Sequence, residues 1–189
     1  MALILASQSP RRTELLGLFR IPFTVRVADI DETMNLERDP ADEVGRVSRE
    51  KALAVPREPE DVVIAADTIV VCAGRVLGKP RTPEEAEEML TLLSGRDHQV
   101  MTGVTVIGPA GTRTFTEVTD IYFRALSREE ILRYVESGDP MDKAGSYGIQ
   151  SGAAIFAEKL VGDYYNVMGL PVCRLYQTLK EIAPELFEP

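Results

Sequence analysis

The polar and apolar positions switch between two periods along the chain. Leu3-Ile4-Leu5-Ala6 is a short apolar run bounded by turn formers, and reads as a buried strand. Ser9 and Pro10 supply an N-cap and a first helical residue, which predicts a helix over residues 10–19 with Leu15, Leu16 and Phe19 inward. A strand is expected over residues 24–27. Asp39-Pro40 opens a second helix with Val44, Val47, Ser48, Lys51 and Val55 on one face. Val62–Cys72 is the most apolar segment and has the character of a central strand in an α/β sheet. Ala73-Gly74-Arg75 turns it into residues 76–80.

Thr82-Pro83-Glu84-Glu85 predicts a helix start with a capping box, followed by Ala86, Met89, Leu90 and Leu93 on one face. Residues 99–107 and 112–124 read as an antiparallel hairpin. Ser127 and Glu130 form a second capping box, with Ile131, Leu132 and Val135 inward. Residues 138–152 have no period and hold four glycines; a connection of this length is often functional. Residues 153–157 and Tyr164–Met168 are expected as strands. The last helix places Val172, Leu175, Leu179 and Ile182 on one stripe.

Composition narrows the function. With 21 basic and 30 acidic residues the net charge is −9, which argues against a general binder of nucleic-acid polymers. Such a chain must gather cations locally to hold a phosphate. No apolar run approaches the ~20 residues of a membrane span, and no signal-peptide pattern opens the chain, so a cytoplasmic protein is expected. Cys72 and Cys173 sit in apolar stretches and are expected to be reduced and buried. His98 is the only histidine, which turns attention to carboxylates, lysines or an oxygen-bound metal.

Several residues break the local pattern. Arg11 and Arg12 fall at a helix N-terminus, where the macrodipole is already positive. They are either solvated or, with Ser7, Ser9 and the first backbone N–H groups, part of a phosphate cradle. Asp29-Ile30-Asp31-Glu32 is either a solvated acidic loop or a divalent-cation site. Lys51 lies along an apolar stripe and either snorkels to its edge or reaches into a cleft. Asp67 is a lone carboxylate in an apolar strand, costly to bury unless paired or metal-bound; it either caps a turn or sits where a general base or metal ligand would. The segment Gly74 to Pro80 is similar to a phosphate-binding loop but fails its spacing; Lys79 remains a candidate phosphate contact. Together these residues suit a phosphorylated ligand with a divalent cation.

The motif set resembles one family, the Maf-like nucleotide pyrophosphatases. The matching pieces are Ser7-Gln8-Ser9-Pro10-Arg11-Arg12, Asp31-Glu32, Glu50-Lys51-Ala52, Ala66-Asp67-Thr68, Gly78-Lys79-Pro80, Leu93-Ser94-Gly95, Asp142-Lys143-Ala144-Gly145 with Tyr147-Gly148-Ile149-Gln150, and Gly169-Leu170-Pro171. The resemblance implies one domain over residues 1–189: a two-lobed α/β fold with an elongated mixed β-sheet flanked by helices and a central cleft, similar to inosine triphosphate pyrophosphatases. It implies hydrolysis of nucleoside triphosphates to monophosphate and pyrophosphate with Mg²⁺ or Mn²⁺, and a homodimer. Asp67 matches the proton acceptor, and Glu32 with Asp67 the metal carboxylates. Arg12, Lys51 and Lys79 match phosphate-contacting positions, and Ser7 lies in the same loop. Arg11, Thr68 and Gln150 match the dTTP/UTP branch; a sister branch resembling 7-methyl-GTP pyrophosphatases has Trp, Gln and Glu there. The alternative functions are a 7-methyl-GTP-type pyrophosphatase, or a nucleotide-binding regulator of cell division with weak hydrolysis.

Overall fold

The computed structural model describes residues 1–27 and 29–188. It is a mixed α/β fold. Among the described residues seven strands pair in one mixed sheet and helices flank it: β1 (Leu3–Leu5), α1 (Pro10–Gly17), β2 (Thr24–Val25), α2 (Pro40–Ala54), β3 (Val62–Cys72), β4 (Arg75–Leu77), α3 (Pro83–Leu93), β5 (Asp97–Gly108), β6 (Gly111–Phe123), α4 (Arg128–Glu136), β7 (Ala157–Val161), α5 (Tyr164–Met168) and α6 (Val172–Ile182). The strand order is β2-β1-β3-β5-β6-β7, with β4 also pairing with β3. β1 runs parallel to both β2 and β3, with Ile4 opposite Thr24 and Val63. β4 is antiparallel to β3, and β7 to β6.

The chain forms two compact units. Unit 1 is Met1–Asp67, Thr102–Glu117 and Gly169–Pro189; unit 2 is Thr68–Met101 and Val118–Met168. Each has its own apolar core. In unit 1, Ile4 and Ala6 pack with Ala52, Val55, Val63, Ala65 and Ile107. In unit 2, Leu90 and Leu93 of α3 and Ile131 and Val135 of α4 pack with Val70, Phe123, Tyr147 and Phe156.

Local chemistry explains most boundaries. The Asp39 carboxylate accepts from the Ala41 N–H and starts α2 at Pro40. Ser127 and Glu130 form both bonds of a capping box at α4. At α3, Thr82 accepts from the Glu85 N–H, but the Glu85 carboxylate takes the Arg81 N–H and guanidinium instead of closing the expected box. α1 ends at Gly17, earlier than expected, and Ser9 makes no side-chain cap. Tyr134, not Leu132, joins Ile131 and Val135 in the buried face of α4.

Three expectations fail outright. Tyr164–Met168 is helical, because the Asp163 carboxylate accepts from the Tyr165 and Asn166 N–H groups and caps a turn that the β-forming Tyr and Val residues disguised. Residues 152–155 form a 3₁₀ turn, and the strand follows it at Ala157. Cys173 is exposed, since it falls off the α6 stripe of Leu175, Thr178, Leu179 and Ile182; Cys72 is buried as expected.

One close approach sets the depth of α2 in unit 1. A Cβ on Gly103 of β5 would lie 2.4 Å from the Val44 carbonyl oxygen, so only glycine admits the helix backbone at this point. Ser48 then hydrogen-bonds Thr105 at 2.8 Å across the same contact. We expect Gly103→Ala to destabilise the protein by about 3 kcal/mol, because backbone rather than a flexible side chain must move. Urea unfolding measures this, and an unchanged midpoint would remove the contact from the argument.

Candidate active site

α2 is amphipathic, and its buried residues Val44, Val47 and Ser48 fix which side faces the core. Lys51, one turn beyond Val47 and Ser48, therefore points along that side. Its ammonium lies 2.7 Å from Asp67 Oδ1 and 2.9 Å from Glu32 Oε2. The Lys51 and Asp67 side chains are each 14% exposed, whereas Glu32 is 59% exposed. The strand carboxylate is thus sheltered, and the loop carboxylate reaches in from the surface. Lys51 thus follows the buried side of α2 and ends between the two carboxylates.

The turn after β1 is built around Ser7, which is buried. Ser7 Oγ accepts from the Ser9 N–H at 3.2 Å and from Arg12 Nη1 at 3.2 Å. Arg12 Nε donates to the Gly169 carbonyl at 2.8 Å. Gly169 has φ of +110°, a conformation that suits glycine and aims this carbonyl. Arg12 is densely surrounded, and this desolvation lowers its pKa; the nearby Asp67 and Glu32 charges oppose the shift, and Arg11 adds to it. Arg12 remains a cation throughout the working range. Ser7, Arg12, Glu32, Lys51 and Asp67 all belong to unit 1.

The acidic loop separates into distinct roles. Asp31 Oδ1 accepts from the Thr33 N–H, and the bonds from Thr33 hold its carboxyl below the usual range. Glu32 alone of the run pairs with Lys51. Sequence reasoning missed the clamp behind it. Buried Glu43 accepts from Arg46 Nε and Nη2 and from the Asn35 N–H, while Arg46 Nη2 also donates to the Thr33 carbonyl. The Arg46 bonds, with that of Asn35, keep the Glu43 carboxyl below its ordinary range. The clamp holds the segment that follows Glu32 at Thr33 and Asn35. A carboxylate at Asp39+4 followed by Arg at i+3 was the available signal.

Among the described residues no group of three or more His, Cys, Asp or Glu side chains is arranged to hold a metal ion. Glu32 and Asp67 nevertheless converge on a single cationic atom. That donor set fits Mg²⁺, which takes one or two carboxylates and completes its shell with water and substrate phosphate. His98 is not available for proton transfer. Its Nε2 meets Tyr147 Oη at 2.8 Å inside the unit 2 core, and burial lowers its pKa to about 4.

A family model described as Maf-like protein matches residues 2–182. The chain belongs to the Maf-like family. A relative from Bacillus cereus, named dTTP/UTP pyrophosphatase, is 49% identical over 180 residues, covering 95% of this chain and 94% of its own. One from Bacillus cytotoxicus with the same name is 49% identical over 179 residues, covering 94% of each. Among solved structures, the HAM1 protein from Coxiella burnetii aligns at 17% identity with a TM-score of 0.49, covering 96% of this chain and 100% of that one.

The remaining candidate residues of this Maf-like chain lie in unit 2, apart from Arg11. Arg11 follows Pro10 in the first turn of α1. Thr68 follows Asp67 in β3. Lys79 is exposed beyond β4, where the neighbouring Gly78 carbonyl accepts from the Gly145 N–H. Gln150 is exposed at the tip of a turn in which the Ser151 N–H bonds the Gly148 carbonyl.

Proposed function

We propose that the chain hydrolyses dTTP and UTP to the nucleoside monophosphate and pyrophosphate. The observation that carries this reading is the Lys51 ammonium held between Asp67 and Glu32. A lone carboxylate in an apolar strand, beside a lysine and a second carboxylate, suits water activation next to a polyphosphate. The relatives named dTTP/UTP pyrophosphatase support the reaction and the substrate.

In this mechanism the oxygen of a water forms a bond to the α-phosphorus. The bond from that phosphorus to the α–β bridging oxygen breaks, and pyrophosphate leaves with the electron pair. Asp67 accepts the water's proton. Arg12, Lys51 and Lys79 contact the phosphate oxygens, and Ser7 orients Arg12. Mg²⁺ or Mn²⁺, held by Glu32 and Asp67, would supply further neutralisation of phosphate charge. Arg11, Thr68 and Gln150 read the base; the Gln150 amide both donates and accepts, as a uracil or thymine edge requires. By the family resemblance the protein acts as a cytoplasmic homodimer that clears the nucleotide pool.

Pyrophosphate release from dTTP, UTP, CTP, dGTP and 7-methyl-GTP, with each metal, tests the reading. We expect kcat/KM for dTTP and UTP to exceed the others by about tenfold or more, the scale of one well-made polar discrimination. A preference for the methylated guanine nucleotide contradicts the assignment of Arg11, Thr68 and Gln150.

A further inference from the structure

The long loop after α4 contains a polar knot that the mechanism does not use. Asp139 is at its centre. Its Oδ2 accepts from Ser151 Oγ at 2.6 Å and from Tyr134 Oη at 2.5 Å. Its Oδ1 pairs with Lys143 Nζ at 3.0 Å, and its own carbonyl takes the same ammonium at 2.6 Å. Lys143 is buried and also meets Asp142 Oδ1 at 2.7 Å. Tyr134 Oη in turn accepts from the Gly148 N–H at 3.1 Å.

These bonds meet at one turn. The Ser151 N–H donates to the Gly148 carbonyl at 3.1 Å, so residues 148–151 form a β-turn with Ile149 and Gln150 at its centre. One end of the turn, Ser151, is tied to Asp139 directly. The other end, Gly148, is tied to it through Tyr134. The packing leaves no slack, because a Cβ on Gly148 would lie 2.4 Å from Ser151 Oγ and 2.7 Å from Lys143 Cε. Gln150 itself is exposed, with no core to position it. Its place depends on the two anchored ends.

We propose that Asp139 is a positioning residue for substrate selection: it fixes both ends of the 148–151 turn and thereby aims the Gln150 amide at the nucleobase. The role in selection rests on the reading of Gln150 as a base contact. The anchoring of the turn does not. An exposed side chain on an untethered turn samples many positions, and a displacement of about 1 Å is enough to lose a bidentate base contact. A carboxylate suits the anchor, because it accepts from a hydroxyl, a phenol and an ammonium together. Asparagine would present a donor to one of them.

The test measures kcat and KM for dTTP, UTP and CTP in Asp139→Asn, Ser151→Ala and Gln150→Ala, with hydrogen exchange of the Gly148 and Ser151 amides. We expect Asp139→Asn and Ser151→Ala to lower the dTTP-over-CTP ratio of kcat/KM by about tenfold, mainly through the KM for dTTP, and to speed exchange of both amides. Ser151→Ala removes the tie to Asp139 together with the 3.1 Å contact of Ser151 Oγ to the Gly148 carbonyl, and keeps Lys143 paired, so it carries the test if Asp139→Asn does not fold. If Gln150→Ala lowers the ratio while the folded anchor variants leave ratio and exchange unchanged, the proposal is overturned and the Gln150 reading stands. If Gln150→Ala leaves the ratio unchanged, the Gln150 reading fails, and the selection role of Asp139 fails with it.

Discussion

Asp67→Asn is expected to reduce kcat by at least about a thousandfold and leave the fold intact. The asparagine keeps the shape of the side chain and still accepts the Lys51 bond now made at 2.7 Å. It cannot accept a proton at neutral pH, and it is a weaker ligand for a divalent cation. General-base catalysis alone is worth about 10² to 10⁴, so loss of the base with weakened metal binding puts the effect at the upper end. Single-turnover pyrophosphate release, with the melting temperature as a fold control, makes the measurement. Turnover within tenfold of the parent would move the proton acceptor elsewhere, and Glu32, on the other side of Lys51, would be the next residue to test.

Lys51→Met is the second large effect. Methionine keeps an unbranched apolar stem of nearly the same length along α2 and removes the ammonium with its charge and donors. Asp67 and Glu32 then face each other without the ammonium between them. We expect kcat/KM to fall by about 10² to 10³, the usual cost of losing one preorganised charged donor at a phosphate. Stability should fall by about 1–2 kcal/mol. That is less than the loss of one partner from a fully buried pair, because Glu32 is largely exposed and water replaces part of the interaction. A stability loss with unchanged kcat/KM would assign Lys51 to the fold alone.

The segments legible in the sequence were those in which local chemistry and burial agree. Val62–Cys72 reads as a central strand and is one, and Asp39-Pro40 and Ser127 with Glu130 start helices as their caps require. Failures came where a cap or a tertiary contact outweighed propensity. Tyr164 and Tyr165 favour strands, but Asp163 caps a helical turn, and the Asp163 carbonyl and N–H are themselves fixed by Thr119. Cys173 sits among apolar residues in sequence and off the buried stripe in space. The site divides in the same way. Lys51 was visible as a charge on an apolar helix face, and Asp67 as a charge in an apolar strand. That Glu32 joins them came only from the family resemblance, because within the loop itself Asp31 and Glu32 look equivalent. The Gly169 carbonyl that holds Arg12 is 157 residues away, and Asp139 is tied to the 148–151 turn through the Ser151 and Tyr134 hydroxyls, which leave no periodic trace.

The bond from Arg12 to Gly169 also bears on the order of events during synthesis. Unit 1 begins with Met1–Asp67, yet it needs Thr102–Glu117 and Gly169–Pro189, whereas every segment of unit 2 has been made once Met168 is in place. At roughly 10 residues per second the ribosome takes about ten seconds to travel from Asp67 to Gly169. For that interval the first 67 residues wait as an incomplete core, and the unit that starts second has its full complement first. Arg12 gains its carbonyl partner only once Gly169 has been made. A growing chain therefore does not hold Arg12 in its finished place until the segment that starts at Gly169 has joined unit 1.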